Sequence, residues 1–476
     1  MIKRWGVQYA MMSHVLECLK CGYGTSDNNP VTVCAECGGL MEYRLVNDNI
    51  KFNGPLTFWR YKVVLPKIST TVSLGEGGTP LQKAERLAES LHFKNLYLKD
   101  ETRNPTNSFK DRSASLIISD AKSRGYDSVV CATNGNHGAS IAAYSAREDI
   151  NCNLVVPSMV DMGKLAQMMM YDAKIVQKGD RIEEAIAMAK ELEEEMDWYQ
   201  ATTELNPLAI EALKTISYEI VEQEGVPDWV IVAMGSGATL HAIWKGFKEM
   251  EMFGMIEKKP ALIGVQAVGC APISRAFSED SDEPIKIEDG NTNASAIRVK
   301  EPLYGKLALN ALRDSNGFAV SVSDDEMVEA GREIAGKEGI FAEPASSAPV
   351  ACLKLAEVQS RISSDAKIVC LVTSSGLKTD DILRNLTKRK KAPRLGSRLS
   401  TKEKILRIIE QQPTYGYAIW KSIGLDMTIG AVYQHLTDLE RRGLVKSTPD
   451  GKRKQLEITE RGRRALQALD DLQVLL

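Results

Sequence analysis

Val129-Val130-Cys131-Ala132-Thr133-Asn134-Gly135-Asn136-His137-Gly138 is the stretch that decides the fold. Four apolar residues predict a buried strand, and a glycine turn then feeds an Ala-rich helical stretch. The same grammar recurs on either side. Short β-rich runs stand at 96–98, 128–131, 153–156, 229–233, 262–266 and 367–373, with longer helical patterns between them, such as 181–195 and 208–223. Strands separated by helices imply parallel βαβ units, hence an α/β fold of open parallel sheets with helices on both faces. In such folds ligands sit at the carboxyl ends of strands, so the turns are where chemistry is sought.

The chain has 476 residues, room for roughly three domains at about 150 residues each. Its net charge is −3, with 43% hydrophobic and 26% charged residues, which fits a soluble globular protein rather than a disordered or fibrous one. No apolar run approaches the length of a membrane span, and Lys3 and Arg4 precede no apolar core of a signal peptide, so a cytoplasmic protein with no membrane partner is expected. The charge is uneven. Residues 388–476 hold 19 Lys and Arg against 10 Asp and Glu, a balance of +9, which leaves −12 for the rest. The switch falls in the basic run 388–398, which has Pro393 and Gly396 and no apolar periodicity and reads as a linker. The parts are then 1–50, 51–387, the linker 388–398, and 399–476.

Nine cysteines are present, an odd and unevenly spaced set that argues against a disulfide framework. Cys131, Cys152, Cys270, Cys352 and Cys370 lie in apolar segments, as small buried hydrophobes do. Cys18, Cys21, Cys34 and Cys37 differ: two Cys-x-x-Cys knuckles suit a tetrahedral Zn²⁺ site. Four thiolates leave no open position, so the zinc would be structural, in a ribbon. His14 is a spare ligand candidate or a surface histidine.

Four strand ends carry candidate chemistry. Asn104-Pro105-Thr106-Asn107-Ser108-Phe109-Lys110-Asp111-Arg112 places a lysine between a strand and a helical stretch at 113–123. Desolvated beside an aromatic, such an amine forms Schiff bases. The turn Thr133, Asn134, Gly135, Asn136, His137 exposes backbone N–H groups suited to a substrate carboxylate. A strand runs into Gly235, Ser236, Gly237, Ala238 and Thr239, which surrounds a phosphate with N–H donors at a helix start. No P-loop occurs, which argues against nucleotide triphosphates. The strand ending at Thr373, Ser374 and Ser375 offers a hydroxyl to a ring nitrogen. Each element alone also reads as an ordinary turn or helix start. Together they describe pyridoxal phosphate, an electron sink for carbanions.

With these residues in view, 15–387 resembles the threonine synthases, within the type II (tryptophan synthase β-like) pyridoxal-phosphate enzymes. The matching stretches are the cysteine ribbon, Trp59-Arg60-Tyr61 with Leu65-Pro66, Ser73-Leu74-Gly75-Glu76-Gly77-Gly78-Thr79-Pro80-Leu81, the Lys110 motif, Ala294-Ser295-Ala296-Ile297-Arg298, and Gly339-Ile340-Phe341-Ala342-Glu343-Pro344-Ala345-Ser346. The resemblance implies Lys110 as the Schiff-base lysine and Asn136 beside the cofactor's 3′-oxygen. It also implies 235–239 as the phosphate loop and Thr373 as partner of the pyridine nitrogen. Its implied reaction converts O-phosphohomoserine and water to threonine and phosphate.

Two places depart from the family pattern. The family's Asn-Ser-x-Asn-Pro-x-Arg stretch, which holds the substrate phosphate, reads Thr203-Glu204-Leu205-Asn206-Pro207-Leu208-Ala209 here. Alanine in place of a bidentate arginine removes the strongest phosphate anchor, and Glu204 would repel a dianion if it points inward. The turn Gly135-Asn136-His137 is more similar to serine/threonine dehydratases and diaminopropionate ammonia-lyases. The shared chemistry has freed Lys110 remove the α-proton before a β or γ leaving group departs.

The last part predicts helices at 401–411, after 414, at 429–442 and at 460–475, with strand-like runs at 444–447 and 455–459. Three cations, Lys452, Arg453 and Lys454, sit between the strands. Through Tyr415-Gly416-Tyr417, Gly430-Ala431-Val432-Tyr433, Leu439-Glu440, Gly443-Leu444-Val445 and Ile458-Thr459-Glu460-Arg461-Gly462 it resembles the PadR-type winged-helix regulators. That implies DNA binding, with Thr428, Tyr433, Gln434 and His435 on the helix that enters the major groove and the wing cations on phosphates. A protein-interaction or dimerisation domain is the alternative reading. Leu466, Leu469, Leu472 and Leu475 suggest a homodimer. The whole then reads as a threonine synthase-like lyase with a DNA-binding appendage, as a dehydratase or ammonia-lyase, or as a regulator whose first part senses a ligand.

Overall fold

The computed structural model describes residues 14–25, 31–46, 50–158, 160–288, 290–379, 397–423, 429–450 and 453–474. Contacts divide the chain into two compact units, Met1–Asn385 and Leu386–Leu476. The basic run 388–396, Thr428 and Lys452 lie outside the described residues.

The first unit holds two α/β sheets. A four-stranded parallel sheet runs in the order Lys174–Gln177, Asn151–Val156, Ser128–Ala132, Tyr199–Gln200. A six-stranded sheet runs Phe318–Val322, Ala261–Ala267, Trp229–Ala233, Lys367–Val372, Asn95–Asp100, Leu81–Lys83. Its last strand pairs antiparallel, so this sheet is mixed rather than wholly parallel. Sequence reading missed Leu81–Lys83, Lys174–Gln177 and Tyr199–Gln200, because two to four residues are too few to display a period, and it also missed the five-residue strand Phe318–Val322.

Alternation within strands builds a core on each face. Ile231 and Ala233 join one cluster with Leu96, Leu98 and Ile263, while Val230 and Val232 join the opposite one with Leu262, Val369 and Leu371. In the smaller sheet Val129 and Cys131 face one core, and Val130 and Ala132 the other. Both faces are covered, which is why these strands read as unbroken apolar runs. Burying each such Val or Ile is worth roughly 1.5–3 kcal/mol. The five scattered cysteines are all buried.

The cysteine ribbon is a three-stranded antiparallel sheet, Gly24–Thr25, His14–Cys18, Met41–Leu45. His14 is neither a metal ligand nor a surface residue. Its Nε2 contacts the Val64 carbonyl at 3.1 Å and lies 3.8 Å from Glu211, and its side chain is 3% exposed. Glu42 of the ribbon meets His241 at 2.5 Å and Lys245 at 3.0 Å, both on the helix Ala238–Met252. These contacts seat the ribbon on the helix that begins at the Gly235–Gly237 turn.

The second unit has helices Ser397–Gln411, Gly416–Ile423, Ile429–Arg441 and Glu460–Val474 around an antiparallel sheet ordered Thr414–Tyr415, Arg453–Ile458, Val445–Asp450. Ile405, Ile409, Ile419, Val432, Leu436, Leu439, Val445 and Leu456 fill its core. Gly443 ends the third helix with φ +69°, the left-handed cap that glycine adopts without strain. Two expectations are corrected. The strands extend further into the wing than foreseen, so Lys454 pairs with Pro449 inside the hairpin instead of lying in the turn. Leu466 is spent on this core, 1% exposed, so it is unavailable for a dimer contact. The side chains of Leu469, Leu472 and Leu475 lie outside the described ones.

Candidate active site

The helix Lys110–Ser123 begins at Lys110 itself, three residues earlier than the sequence pattern suggested. The preceding loop is pinned from several sides. Asp111 accepts from the Thr106 N–H and hydroxyl, both at 2.7 Å. The Phe109 N–H donates to the Thr373 carbonyl at 2.9 Å, and the Ser375 N–H to the Asn107 carbonyl at 3.0 Å. The Lys378 ammonium donates to the Thr106 carbonyl at 2.7 Å. Lys110 is thus fixed at its backbone while its Nζ, 5.0 Å above the Phe109 ring and 3.5 Å from Thr203 Oγ1, faces a cavity. Burial pulls its ammonium below the usual lysine value, with Glu204 pulling the other way.

That cavity is lined by Lys110, Thr133, Asn134, Gly135, Asn136, His137, Gly235, Ser236, Gly237, Ala238, Thr239 and Thr373. Every candidate catalytic, cofactor-binding and substrate-binding residue of the first unit is therefore gathered in one place. The strands Ser128–Ala132, Trp229–Ala233 and Lys367–Val372 all end on it, as the strand-end rule requires. Gly237 has φ +89°, and a Cβ there would stand 2.8 Å from the Tyr304 carbonyl. Gly135 has φ +133°, and a Cβ there would collide with the Lys164 side chain. Both turns therefore exclude any side chain.

Polar groups converge on this space. Asn136 Nδ2 donates to both Glu343 oxygens at 3.0 and 3.2 Å, while its buried Oδ1 has no partner. His137 Nε2 lies 2.8 Å from the Ala201 carbonyl, and its Nδ1 is buried without a partner. Burial, then the nearby Lys110 charge, holds His137 down at about 3, so it is neutral. Thr373 Oγ1 is 2.7 Å from Ser346 Oγ, a neutral pair at the end of its strand. Lys164 Nζ bonds Asp161 at 2.8 Å and Ser295 Oγ at 3.2 Å and approaches Glu343 at 3.4 Å. The pattern suits pyridoxal phosphate: an amine with a depressed pKa, an N–H cradle at a helix start, a neutral hydroxyl for a ring nitrogen, and an orphaned amide oxygen.

Sequence reading assigned no role to Lys164, Glu343 or Ser346. Glu343 and Ser346 stood inside a quoted motif; Lys164 is a lone helix-start lysine with no local signal. Of the departing residues, Glu204 lines the cavity, whereas Ala209 is fully buried among apolar side chains.

The four ribbon sulfurs lie within 4.8 Å of one another, with Cys18–Cys37 at 3.5 Å and Cys21–Cys34 at 3.8 Å. Ligand atoms about 2.3 Å from a tetrahedral zinc are separated by about 3.8 Å, so the cluster is compatible with a zinc site. Gly22 and Gly38, both left-handed, turn the two knuckles. In the second unit Tyr433 and Gln434 are exposed on the third helix and His435 is half-buried. Lys454 is exposed on the hairpin; the Arg453 side chain is not among those described.

Residues 72–374 match the model of the pyridoxal-phosphate dependent enzyme family, and 405–468 that of the PadR-like transcriptional regulator family. A threonine synthase of Methanocaldococcus jannaschii is 41% identical over 76% of this chain and 93% of its own length. One from Methanosarcina acetivorans is 35% identical over 76% and 92%. The fold is shared with the processed threonine deaminase isoform 2 of Solanum lycopersicum, at TM-score 0.57 and 20% identity over 72% of this chain and 93% of that one. Among the described residues no helix is long and apolar enough to cross a membrane.

Proposed function

Since the chain belongs to the threonine synthase family of pyridoxal-phosphate-dependent lyases, we propose that Lys110 both carries the cofactor and removes the α-proton of an amino acid whose side chain then loses a leaving group. The observation that carries this reading is the Lys110 amine, its pKa depressed by burial, facing the cavity that all four strand-end elements share. Pyridoxal phosphate, when bound, supplies the electron sink that makes the α-proton removable. The N–H groups at Gly235, Ser236, Gly237, Ala238 and Thr239 would hold its phosphate, Thr373 its ring nitrogen, and Asn136 its 3′-oxygen. The turn Thr133, Asn134, Gly135 and the start of the helix Asn136–Arg147 would hold the substrate carboxylate. His137, neutral, would add no positive charge there.

In the family's reaction phosphate leaves from O-phosphohomoserine and water adds to give threonine. Lys164 on the cavity wall is the cation that supports this form. A second form, loss of a β-hydroxyl from serine or threonine to give a keto acid, is favoured by Glu204 facing the cavity and Ala209 sitting in the core. The ribbon would hold structural Zn²⁺ on Cys18, Cys21, Cys34 and Cys37. The second unit would bind DNA through Tyr433, Gln434, Lys454 and their neighbours, in a cytoplasmic homodimer.

The test uses purified full-length protein. Its absorbance is scanned for a lysine-bound pyridoxal band, and keto acid and phosphate are followed with O-phosphohomoserine, L-threonine and L-serine. The band together with turnover of any of the three supports the reading. A Lys110→Ala variant with undiminished turnover overturns it.

A further inference from the structure

The charges on the cavity wall do not suit a dianionic side chain. The lining carries two cations, Lys110 and Lys164, against two carboxylates, Glu204 and Glu343. Lys164 is already engaged by Asp161, Glu343 and Ser295. Lys110 must be neutral to act as a base. The site where the family sets its phosphate-binding arginine is Ala209, whose methyl group is fully buried and packed in an apolar cluster. Across from Lys110, the short 3-10 turn Thr203–Leu205 brings Thr203 Oγ1 to 3.5 Å from Nζ and sets Glu204 on the cavity wall, which Ser236 also lines. A carboxyl group therefore shares the cavity wall with the catalytic amine and the phosphate loop.

We propose that Glu204 selects the substrate side chain, favouring a neutral β-hydroxy amino acid over a phosphorylated one, and gives the departing hydroxyl the proton it needs. This rests on the lyase reading of Lys110 and takes the second of its two leaving groups. The step balances. The Cα–H bond breaks and its proton passes to Lys110 Nζ. The Cβ–O bond breaks with its electron pair on oxygen, the Glu204 proton joins that oxygen, water departs and a Cα–Cβ double bond forms. The enamine so released tautomerises and takes up water to give keto acid and ammonia. Phosphate leaves as a stable anion and needs no such acid, whereas hydroxide is a poor leaving group. Burial also pushes the Glu204 carboxyl up, with the Lys110 charge opposing, which favours its protonated form. Burial thus moves the lysine down and the glutamate up, each toward its neutral form.

The experiment compares wild-type holoenzyme with Glu204→Gln and Glu204→Ser on L-serine, L-threonine and O-phosphohomoserine. Keto acid, inorganic phosphate, and exchange of the α-proton in D₂O are measured. Separately, an infrared difference spectrum of wild type against Glu204→Gln, without substrate, reads the protonation of this carboxyl. Expected are keto acid from a hydroxy amino acid, no phosphate release, and a protonated-carboxyl band lost in the glutamine variant. Both variants should cut keto-acid formation about 100-fold while α-proton exchange and thermal midpoint stay near wild type. Phosphate release from O-phosphohomoserine by wild type, or keto-acid formation undiminished in both variants, overturns the proposal and leaves the lyase reading standing. Absence of α-proton exchange with every substrate brings down the lyase reading itself, and this inference with it.

Discussion

Two buried charge sites share the helix Lys110–Ser123, and they are built oppositely. Arg112 is fully buried and saturated. It bonds Glu101 at 2.7 and 2.8 Å and Glu219 at 2.5 and 2.9 Å. Glu219 is held from the other side by Lys99 at 2.8 Å, which also donates to Thr79 and Gln223. Two residues earlier, Lys110 makes one long contact to Thr203 and faces open space. A buried charge whose donors and acceptors are all met is structural; one left nearly bare is available to a ligand. Burial alone does not account for the difference, although Arg112 is fully buried and Lys110 only half-buried. The number and quality of partners does.

The largest effect should come from breaking the saturated site. Arg112→Met leaves Glu101 and Glu219 buried with too little positive charge, and should cost roughly 3–5 kcal/mol. Denaturant unfolding checks this; a midpoint near wild type would show that the network is not structural. Lys110→Ala should do the reverse. Its unfolding midpoint should stay close to wild type while turnover falls at least about 10³-fold. Equal losses of stability in both variants would mean that the two charge sites are structurally alike.

A pH measurement sharpens the contrast. Burial raises the Glu219 carboxyl, but Arg112 and Lys99 outweigh it and hold the pKa at about 2, against an ordinary 4.5. A carboxyl with its folded pKa depressed contributes stability that is complete above the unfolded pKa and is lost as pH falls toward the folded one. Stability should therefore drop between about pH 4.5 and 2, and Arg112→Met should flatten that drop. An unchanged slope in the variant would assign the acid sensitivity to other carboxylates. The smallest effect belongs to Thr203→Val, which removes a long hydrogen bond to Lys110. It should shift stability by less than about 1 kcal/mol, with turnover altered only a few-fold. A large loss of stability would mean that this contact pins the turn carrying Glu204.

Much of the first unit was legible because strand ends leave a signature. The β-rich runs before Thr133, Gly235 and Thr373 and the turns after them are local features, and each survives in the structure as a cavity wall. The Cys-x-x-Cys knuckles are equally local. What escaped was relational. Lys164 and Glu343 are 179 residues apart and meet at 3.4 Å. Nothing around either announces the other. Glu42 and His14 of the ribbon are similar cases, single residues whose partners Lys245 and Glu211 lie on distant helices. Leu466 shows the opposite error, an apolar side chain read as a contact for another molecule that its own unit had already covered.

The sequence by itself determined the α/β alternation, the cysteine cluster, the lysine-bearing loop, the glycine turns and the winged-helix pattern. Each follows from short-range rules of periodicity, turn conformation and ligand spacing. Tertiary structure alone decided that twelve candidate residues share one cavity, that Glu204 faces into it while Ala209 turns into the core, and that Arg112 is satisfied while Lys110 is not. The physical reason is the same each time. Charge and hydrogen-bonding capacity are fixed by residue type, but whether they are met depends on groups that the fold brings from elsewhere in the chain.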